Sequence, residues 1–504
     1  MGSPGFPLKG AEPPRRGRGK PVGGFRVFGR RAAARIESGM EGVGTDLVIF
    51  GASGDLASRK ILPAVARLAE RGLLPSRLRV IGAGRSEQPE DIWAPLHTSS
   101  RGSSIETRWV RLAYGEPDSY KELRETLAGS ATVIYYLATP PSTFIPIVTS
   151  LAATGLANSE DGQRHRIVVE KPLGKDLASA REIDQRLREA FGEEQVFRID
   201  HYLAKDTVQN TLAFRFSNAV FEAMWNRTLI ESIQVNVAEE VTIGSRAGYY
   251  DQVGAVRDMV QNHVLQLLAL ILMEPPRTLD AANIRRAKLD VLLAINPIDP
   301  SVAVRGQYEG YLDEPGVALD SRRETYAAAR LTVDNWRWYG VPIYFRTGKA
   351  LPRRVTQAII RFRDAPLLRL DSQPQRGIPT LLVIHVQPKE GVTLRIGAKR
   401  PGARFEMVAA GMDLEYSRLT REELPEAYEH VLSEVLAGGH TVFPSGEEIE
   451  RSWEIVDPLI RSWESGGHPE TYRKGSWGPE EARELMIRTQ GGRWINPGDE
   501  PGIS

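Results

Sequence analysis

The stretch that decides the fold runs from Asp46 to Leu74 and reads DLVIFGASGDLASRKILPAVARLAERGLL. Its first five residues form a short apolar run of the kind that makes a buried parallel strand, and a glycine turn and a helical pattern follow. Small residues at Gly51, Gly54 and Ala57 let backbone N–H groups approach a pyrophosphate and let the helix pack closely on the strand. This pattern predicts a strand–turn–helix unit that binds a dinucleotide. Because the spacing departs from G-x-G-x-x-G, a structural turn without a ligand is the alternative.

The second apolar run, LRVIGAGRS (78–86), indicates which dinucleotide is bound. In such folds an acidic side chain at this strand end binds the ribose hydroxyl of NAD, whereas a basic side chain binds the added phosphate of NADP. Here the polar residue is Arg85, and no Asp or Glu occupies the strand end. The sequence therefore favours NADP over NAD, with Ser53 and Ser86 as further donors. The alternative for Arg85 is an ordinary surface arginine.

Further strand-like runs extend this pattern along the first part of the chain. The segments ATVIYYLATPP (131–141) and HRIVVEKPLG (165–174) each follow a helical stretch, as in a doubly wound parallel sheet of the Rossmann type. We expect residues 44–199 to form this dinucleotide-binding domain. In residues 200–504, short β-rich runs separated by turns predict a larger β+α domain built on a mostly antiparallel sheet.

Composition and charge exclude several classes of protein. The 504 residues include 65 Lys and Arg, 64 Asp and Glu, 41% hydrophobic residues and no Cys, so disulfides, thiolate metal sites and cysteine nucleophiles are ruled out. No apolar run approaches the ~18 residues of a membrane-spanning helix. Residues 1–39 hold nine Lys or Arg and two Asp or Glu, which leaves a mildly acidic body unsuited to nucleic acid. We expect a cytoplasmic protein without a nucleic-acid or membrane partner.

The first 43 residues are rich in Pro, Gly and Arg and show no amphipathic period, so we expect a disordered basic tail. The segment also lacks the apolar core of a signal peptide. The alternatives are a basic targeting or nucleic-acid arm, an expression scar, or an extension upstream of a true start at Met40.

The segment FRIDHYLAKDTVQN (197–210) concentrates polar groups directly after a strand-like start. His201, Tyr202 and Lys205 supply donors and positive charge suited to a monophosphate, and Asp200 could orient a base. Burying so many polar groups is costly, which favours a functional interpretation. The alternative is a turn that caps a helix and forms surface ion pairs.

A second polar cluster interrupts the helix predicted within AGYYDQVGAVRDMVQNHVLQLLALILMEPP (247–276). His263 is the candidate general base, because an imidazole with a pKa near neutrality can take a hydroxyl proton while hydride leaves the same carbon. The alternative is a core histidine satisfied by one hydrogen bond. The neighbouring Asp258 and Asn262, with the upstream Glu239, favour the functional interpretation.

Taken together, these segments resemble the signatures of the glucose-6-phosphate dehydrogenase family. The similar motifs occur in the family's order and span about residues 45–497, and they are GASGDLA (51–57), EKPLG (170–174), RIDHYLAKD (198–206), RDMVQNH (257–263) and RTGKALPRR (346–354). Several long motifs in the correct order are far more specific than one glycine loop.

The resemblance implies oxidation of C1 of D-glucose 6-phosphate to 6-phospho-D-glucono-1,5-lactone with hydride transfer to NADP⁺, the first step of the oxidative pentose phosphate pathway. It implies that His263 accepts the proton, that Asp200 orients it, and that no metal is needed. The substrate-binding residues implied are Lys171, His201, Tyr202, Lys205, Glu239, Asp258, Lys349, Arg354 and Lys60. The cofactor-binding residues implied are Gly51, Ala52, Ser53, Gly54, Asp55, Leu56, Ala57, Ser58, Arg85, Phe144 and Lys171. A homodimer or homotetramer is also implied, and Arg353 and Arg354 could hold a second, structural NADP.

Three departures from the family pattern leave alternatives open. Ala204 and Asp206 replace the usual glycine and glutamate of the phosphate motif, Phe144 stands where a tyrosine is common, and residues 238–250 form an unusual loop. An NADP-dependent dehydrogenase of another hexose phosphate or aldose, or a non-catalytic paralogue, therefore remains possible on sequence grounds.

Overall fold

The computed structural model describes residues 44–97, 105–157, 162–365, 369–370, 373–374, 378–402, 406–420 and 425–497. The predicted basic tail, residues 1–43, lies outside the described residues.

The first sheet contains six parallel strands in the order β3-β2-β1-β4-β5-β6. Their bounds are Thr45–Phe50 (β1), Leu78–Gly84 (β2), Glu106–Arg111 (β3), Thr132–Leu137 (β4), Arg164–Val169 (β5) and Val196–Arg198 (β6). The central strand β1 is buried on both faces, with Leu47 and Ile49 in one hydrophobic cluster and Val48 and Phe50 in another. This is the order of a doubly wound dinucleotide-binding sheet, so the predicted fold class is confirmed for this part.

The second sheet has nine strands in the order β16-β15-β14-β11-β7-β10-β9-β8-β17. Neighbours pair antiparallel except β7 with β10 and β8 with β17, which are parallel, so the predicted mostly antiparallel sheet is confirmed. The strands after β6 are Ile230–Ala238 (β7), Ala303–Tyr308 (β8), Tyr326–Leu331 (β9), Ile343–Gly348 (β10), Val355–Phe362 (β11), Arg369–Leu370 (β12), Gln373–Pro374 (β13), Leu381–Gln387 (β14), Gly391–Lys399 (β15), Met407–Glu415 (β16) and Glu470–Tyr472 (β17). Strands β12 and β13 form a separate two-stranded ladder.

Helices cover the sheets and connect them. The α-helices are Leu62–Glu70, Ala94–His97, Lys121–Leu127, Phe144–Ala153, Leu177–Ala190, Asp206–Phe216, Ala219–Met224, Ala247–Ala255, Leu265–Leu272, Ala281–Ala294, Ala427–Ala437, Gly446–Ser465 and Glu480–Arg488. Two π-helical segments, Ala57–Ile61 and Val256–Val264, precede α-helices directly. Within the part of the chain that the structure describes, none of the helices has the length and apolarity needed to span a membrane.

The helix Leu265–Leu272 anchors the centre of the molecule. All eight of its residues, LQLLALIL, are buried, as expected for a helix that is apolar except for Gln266, whose side-chain oxygen accepts a hydrogen bond from Lys288. It belongs to a hydrophobic cluster that also contains Ile49 of the first sheet and Val235 of the second. The segment that carries His263 is continuous with this buried helix. The predicted domain boundary at residues 199/200 stays a prediction.

Candidate active site

The turn after β1 has the shape of a dinucleotide cradle. Gly51 has φ +77°, and a Cβ at this position would lie 2.7 Å from the carbonyl oxygen of Ala138 and from Cγ2 of Thr139, at the tip of β4. Glycine is therefore required here by both conformation and space. The amide of Gly54 donates to the carbonyl of Gly51 at 2.9 Å and closes the turn. These features fit a pyrophosphate placed against the backbone at a helix start.

The other predicted residues of this turn divide into buried and exposed sets. Ala52 and Ala57 are fully buried, so they pack the turn against the sheet. Ser53, Asp55 and Ser58 are exposed and Leu56 is half-buried. The exposed set faces outward, where a ligand can reach it.

Arg85 directly follows β2, beside this turn. It is exposed, and its guanidinium lies 5.9 Å from the ring centroid of Tyr114. The nearby Glu87 carboxylate pairs with Arg111 at 2.7 Å. Among the described residues Arg85 forms no ion pair, so its charge is available to a phosphate at the strand end.

His263 lies in the π-helical segment Val256–Val264 and contacts the carboxylate of Asp200. The distance between Nδ1 of His263 and Oδ1 of Asp200 is 2.5 Å, and both side chains are buried. The same Oδ1 accepts a hydrogen bond from the Tyr202 backbone N–H at 2.9 Å. Upstream, the preceding helix breaks at Gly254, with φ +76°, and Glu324 accepts the Val256 N–H at 3.1 Å. This break and the wider π turn aim His263 at the end of β6.

Burial and charge set the protonation states of this pair. Burial disfavours the ionised form of Asp200, but its interactions with His263, His201 and Lys171 outweigh burial and hold the pKa of Asp200 below its ordinary value. Burial also lowers the pKa of His263, although the Asp200 carboxylate opposes that shift. Asp200 is therefore a carboxylate and His263 a neutral imidazole near neutral pH.

Lys171 reaches the other nitrogen of the imidazole. Its Nζ lies 2.8 Å from Nε2 of His263, 3.0 Å from the backbone oxygen of Asp258 and 3.3 Å from Oδ1 of Asp258. Burial raises the pKa of Asp258, but Lys171 and Lys349 overcome this effect and lower that pKa to about 2. An ammonium only donates and a carboxylate only accepts, so the hydrogen of the neutral ring sits on Nδ1 and the lone pair on Nε2.

Glu239 and Lys349 come together at one edge of the second sheet. Glu239 follows β7 and Lys349 follows β10, and these neighbouring strands are parallel, so both chains leave the sheet at the same edge. Nζ of Lys349 contacts Oε2 of Glu239, and it lies 3.9 Å from Oδ2 of Asp258. The chain of charges from Lys349 through Asp258 to Lys171 reaches His263.

The predicted phosphate residues cluster beside the imidazole. The ring of Tyr202 stacks on His263 with centroids 4.0 Å apart, and His201 meets the same ring edge-on at 4.6 Å. Nζ of Lys205 lies 4.6 Å from the Tyr202 ring centroid. Burial lowers the pKa of His201 well below its ordinary value, assisted by His263 and Lys171. His201 is therefore a neutral ring there.

Two residues missed by the sequence interpretation complete this side. Gln387 accepts hydrogen bonds from Lys205 Nζ at 2.6 Å and from an Arg354 guanidinium nitrogen at 3.5 Å. The amide nitrogen of Gln387 donates to Thr356 Oγ1 at 3.0 Å, which lies 3.3 Å from the hydroxyl of Tyr202. Gln387 ends β14 and Thr356 lies in β11, and no local sequence pattern distinguishes them from other strand residues.

The structure does not bring two predicted site residues to these clusters. Lys60 lies on the π-helical segment after the dinucleotide turn and pairs with Glu426 at 3.4 Å. Phe144 begins the helix Phe144–Ala153, but its ring is 1% exposed within the core of the first sheet. Asp206, one of the departures from the family pattern, pairs with His430 at 3.3 Å.

Comparisons with known proteins agree with this geometry. Residues 48–210 match the model of the glucose-6-phosphate dehydrogenase NAD binding domain, and residues 212–495 match that of the glucose-6-phosphate dehydrogenase C-terminal domain. The chain belongs to the glucose-6-phosphate dehydrogenase family. The predicted family is thus confirmed.

Relatives match this family member over most of its length. Glucose-6-phosphate 1-dehydrogenase 2 of Mycobacterium tuberculosis is 42% identical, over 90% of this chain and 94% of its own. Glucose-6-phosphate 1-dehydrogenase of Bacillus subtilis is 38% identical, over 89% and 98%. A solved structure of glucose-6-phosphate dehydrogenase in complex with its substrate glucose-6-phosphate is 34% identical with a TM-score of 0.81, over 90% of this chain and 99% of that chain.

Proposed function

We propose that this chain oxidises C1 of D-glucose 6-phosphate to 6-phospho-D-glucono-1,5-lactone and passes the hydride to NADP⁺, as the first step of the oxidative pentose phosphate pathway. The observation that carries the proposal is the buried chain Asp200–His263–Lys171. It holds a neutral imidazole with its lone pair at Nε2, and the charged cluster of Lys349, Glu239 and Asp258 adjoins Lys171. Family membership supports the same reaction.

His263 acts as the general base in this proposal. The C1 hydroxyl replaces Lys171 as the hydrogen-bond partner of Nε2. Nε2 then takes the hydroxyl proton, while Nδ1–H remains bonded to Asp200. The imidazolium formed is stabilised by the Asp200 carboxylate at 2.5 Å and by the nearby negative charge of Asp258. NADP⁺, when bound, accepts the hydride from the same carbon. The side chains are assigned one proton transfer and the electrostatic stabilisation of the imidazolium that it forms. Neither step needs a metal ion.

The phosphate group supplies binding energy away from the reacting carbon. Lys205 and Arg354 provide positive charge for it, and the neutral ring of His201 provides an N–H donor, with Tyr202 beside them. Bonds from Lys205 and Arg354 to one oxygen of Gln387 hold both side chains ready for the phosphate. Energy from this remote contact would align C1 with Nε2 of His263.

The sugar hydroxyls meet the charged cluster at the sheet edge. Glu239 and Asp258 accept hydrogen bonds from hydroxyls, while Lys349 neutralises the two carboxylates. Lys171 lies between this cluster and His263, so it can contact both substrate and nicotinamide. The same fixed arrangement would discriminate among hexose phosphates that differ in hydroxyl stereochemistry.

The proposed cofactor-binding residues lie at the ends of strands in the first sheet. The turn from Gly51 to Ser58 accepts the pyrophosphate, and Arg85 binds the 2′-phosphate that distinguishes NADP from NAD. Phe144 stays a proposed cofactor residue and Lys60 a proposed substrate residue, although Phe144 is buried in the core and Lys60 pairs with Glu426. We also expect a homodimer or homotetramer in the cytoplasm.

Turnover of a His263→Asn variant tests the proposal. The wild-type chain should form NADPH from glucose 6-phosphate, and the variant should lose about 10²–10⁴-fold in kcat, the usual contribution of a positioned base. Affinity for glucose 6-phosphate should remain, because the phosphate residues are untouched. A variant that keeps its rate would remove His263 from the mechanism.

Two alternatives predict different results in the same assay. A dehydrogenase of another hexose phosphate or aldose would form NADPH faster with that sugar than with glucose 6-phosphate. A non-catalytic paralogue would bind NADP⁺ without forming NADPH from any sugar.

A further inference from the structure

The motif RDMVQNH (257–263) begins with an arginine that the proposed reaction does not use. Arg257 lies in the π-helical segment Val256–Val264, and its side chain is 9% exposed. Burying a guanidinium is costly unless its donors are bonded, so the partners of Arg257 show what its burial achieves. One partner belongs to the lysine loop, which is EKPLGK (170–175) and carries Lys171.

The guanidinium of Arg257 joins two other elements to the π-helical segment. Nε donates to the backbone oxygen of Lys175, the last residue of the lysine loop, at 2.8 Å. Nη2 donates to Oε1 of Glu464 at 2.6 Å, in the last turn of the helix Gly446–Ser465. Nη1 lies 3.4 Å from the backbone oxygen of Val253, in the preceding helix. The planar fork of an arginine can hold such divergent partners together, whereas a lysine ammonium lacks this fixed geometry.

The second half of the lysine loop is fixed at three successive residues. The indole N–H of Trp453 donates to the backbone oxygen of Leu173 at 2.9 Å. Gly174 has φ +85°, and a Cβ there would lie 2.6 Å from backbone of the helix that follows the loop. The carbonyl of Lys175 accepts the bond from Arg257. Arg257 therefore attaches the fixed half of this loop to the segment that carries the proposed base.

Lys171 and Arg257 bridge the lysine loop and the π-helical segment in opposite directions. Nζ of Lys171, near the start of the loop, lies 2.8 Å from Nε2 of His263 and 3.0 Å from the backbone oxygen of Asp258. Arg257 reaches from the segment to Lys175 at the end of the loop. In the proposed reaction the C1 hydroxyl replaces Lys171 at Nε2 of His263. The bond from Arg257 involves neither of these atoms, so it can persist while substrate is bound.

We propose that Arg257 is a positioning residue for Lys171. Its bond to the Lys175 carbonyl keeps the lysine loop against the π-helical segment. Lys171 then stays within reach of substrate and nicotinamide after it leaves Nε2 of His263. Arg257 acts through Lys171 and is assigned no contact with substrate or cofactor. This role rests on the proposed function, because that function is what requires Lys171 to be placed accurately.

Steady-state kinetics of Arg257→Gln test the consequence for turnover. A misplacement of about 1 Å can decrease kcat by about 100-fold, so we expect a loss of about 10- to 100-fold in NADPH formation from glucose 6-phosphate. The dissociation constant for glucose 6-phosphate, measured by calorimetry, should change little, because the phosphate residues are untouched. Arg257→Lys should recover part of the loss in kcat, since an ammonium can still donate to the Lys175 carbonyl.

A double-mutant cycle with Lys171→Ala distinguishes positioning from a general loss of structure. If Arg257 acts through Lys171, adding Arg257→Gln to Lys171→Ala should lower kcat further by less than about threefold. If Arg257 only stabilises the fold, its effect does not depend on Lys171 and the two losses multiply.

The matched control is Arg451→Gln, which changes another partly buried arginine. Arg451 donates to the backbone oxygens of Leu292 and Ile295 at 3.1 Å and 2.6 Å, and it pairs with Glu454 at 2.8 Å. Its partners are thus two carbonyls and one glutamate, as for Arg257, but none of them belongs to the lysine loop or the candidate active site. We expect Arg451→Gln to lower the midpoint of urea denaturation about as much as Arg257→Gln and to leave kcat unchanged.

Glu464→Gln provides a second variant that should fold normally. The Glu464 side chain is 48% exposed, yet its carboxylate holds Nη2 of Arg257. We expect a smaller loss of kcat, about two- to fivefold, in line with the modest strength of a partly exposed ion pair. The same loss should disappear when Lys171→Ala is already present.

Amide hydrogen exchange follows the lysine loop without turnover. Peptides that cover residues 171–175 should exchange about tenfold faster or more in Arg257→Gln than in the wild type, because local opening of the loop becomes easier. Arg451→Gln should leave their exchange unchanged. Exchange therefore tests the bond from Arg257 to the loop even if the wild type forms no NADPH from glucose 6-phosphate, a result that would overturn the proposed reaction instead.

Three results would overturn the positioning role. Wild-type kcat in both Arg257→Gln and Glu464→Gln would show that turnover does not depend on this contact. Losses that multiply in the Lys171→Ala background would reduce Arg257 to a structural residue. Unchanged exchange of residues 171–175 in Arg257→Gln would show that the arginine does not hold the loop.

Discussion

Replacing Asp200 with asparagine removes the negative charge behind His263 while preserving the shape of the side chain. In the structure Oδ1 of Asp200 accepts from both His263 Nδ1 at 2.5 Å and the Tyr202 N–H at 2.9 Å. Oδ2 is buried and has no hydrogen-bond partner among the described residues. The amide should therefore keep its oxygen toward the two donors and place its NH₂ at the Oδ2 position. The tautomer of His263 is then retained, and the variant isolates the effect of charge.

The size of that effect follows from Coulomb's law. Unit charges about 4 Å apart at an effective dielectric constant of about 20 attract by about 4 kcal/mol, and a half-transferred proton would feel about half of this. A loss of about 2–4 kcal/mol of transition-state stabilisation corresponds to a decrease of about 30- to 1,000-fold in kcat. The KM for glucose 6-phosphate should change little, because Asp200 is assigned no contact with the phosphate.

Steady-state NADPH formation across a pH range measures both consequences. His263 acts when neutral, so the acid limb of kcat/KM follows its pKa, and burial already places that pKa below the ordinary value. Because the Asp200 carboxylate raises the pKa of His263, the asparagine variant should move the acid limb to lower pH.

The control for this variant is Asp457→Asn, which changes another buried carboxylate that pairs with Arg461. It should leave both kcat and the pH profile unchanged. A kcat of Asp200→Asn within about threefold of wild type, or an acid limb displaced to higher pH, would refute the assigned role.

Three further predictions concern the cofactor turn and the phosphate side. Gly51→Ala should weaken NADP⁺ binding, measured by fluorescence titration, and lower the free energy of unfolding in urea by about 1–3 kcal/mol, because the new Cβ would lie 2.7 Å from backbone. Gly129→Ala is the control: Gly129 also has a positive φ, +82°, but a Cβ there meets open space, so this variant shows the effect of conformational strain without the contact. Arg85→Gln should lower the ratio of kcat/KM for NADP⁺ to kcat/KM for NAD⁺ by about tenfold or more, with unchanged kinetics for NAD⁺. An unaltered ratio would exclude Arg85 as the ligand of the 2′-phosphate. Burial lowers the pKa of Lys205 to about 8, with partial opposition from Glu390. The KM for glucose 6-phosphate should therefore rise above about pH 8, as the charge of Lys205 is lost. Lys205→Arg should flatten this dependence of KM on pH, and a steep rise retained in that variant would exclude Lys205 as the cause.

The first sheet was predictable because its signals are local. Strands β1, β2, β4 and β5 contain apolar runs next to helices, and alternation of the two kinds of segment permits few topologies. Strand β3 reads ETRWVR, has no such run and was not predicted. The glycine turn was equally readable from its small residues, whereas the contact that requires glycine at position 51, with the tip of β4, is visible only in the structure. The predicted antiparallel character of the second sheet held for most pairs, but the parallel pairs of β7 with β10 and β8 with β17 depend on long connections that no local pattern reveals.

Side-chain direction limited the prediction of the site. Lys60 and Phe144 follow the family motifs in position, yet the structure turns one toward Glu426 and buries the other in the core. Gln387 and Thr356 escaped notice because each is one polar residue in a β-rich run. Their importance arises from the register that sets Thr356 opposite Gln387 across β11 and β14. A sequence shows the spacing within a strand, whereas register depends on its partner.

The same reasoning explains why motifs distant in sequence form one site. Glu239 and Lys349 lie 110 residues apart, yet they meet because β7 and β10 run parallel and side by side. In an antiparallel pair the two residues following the strands would leave from opposite edges of the sheet. The parallel pair thus joins its carboxylate and ammonium at the edge that faces Asp258, and the π-helical segment carrying Asp258 then presents His263 to Asp200 at the end of the first sheet. One strand orientation within the second sheet is therefore a condition for linking the sugar cluster to the proposed base.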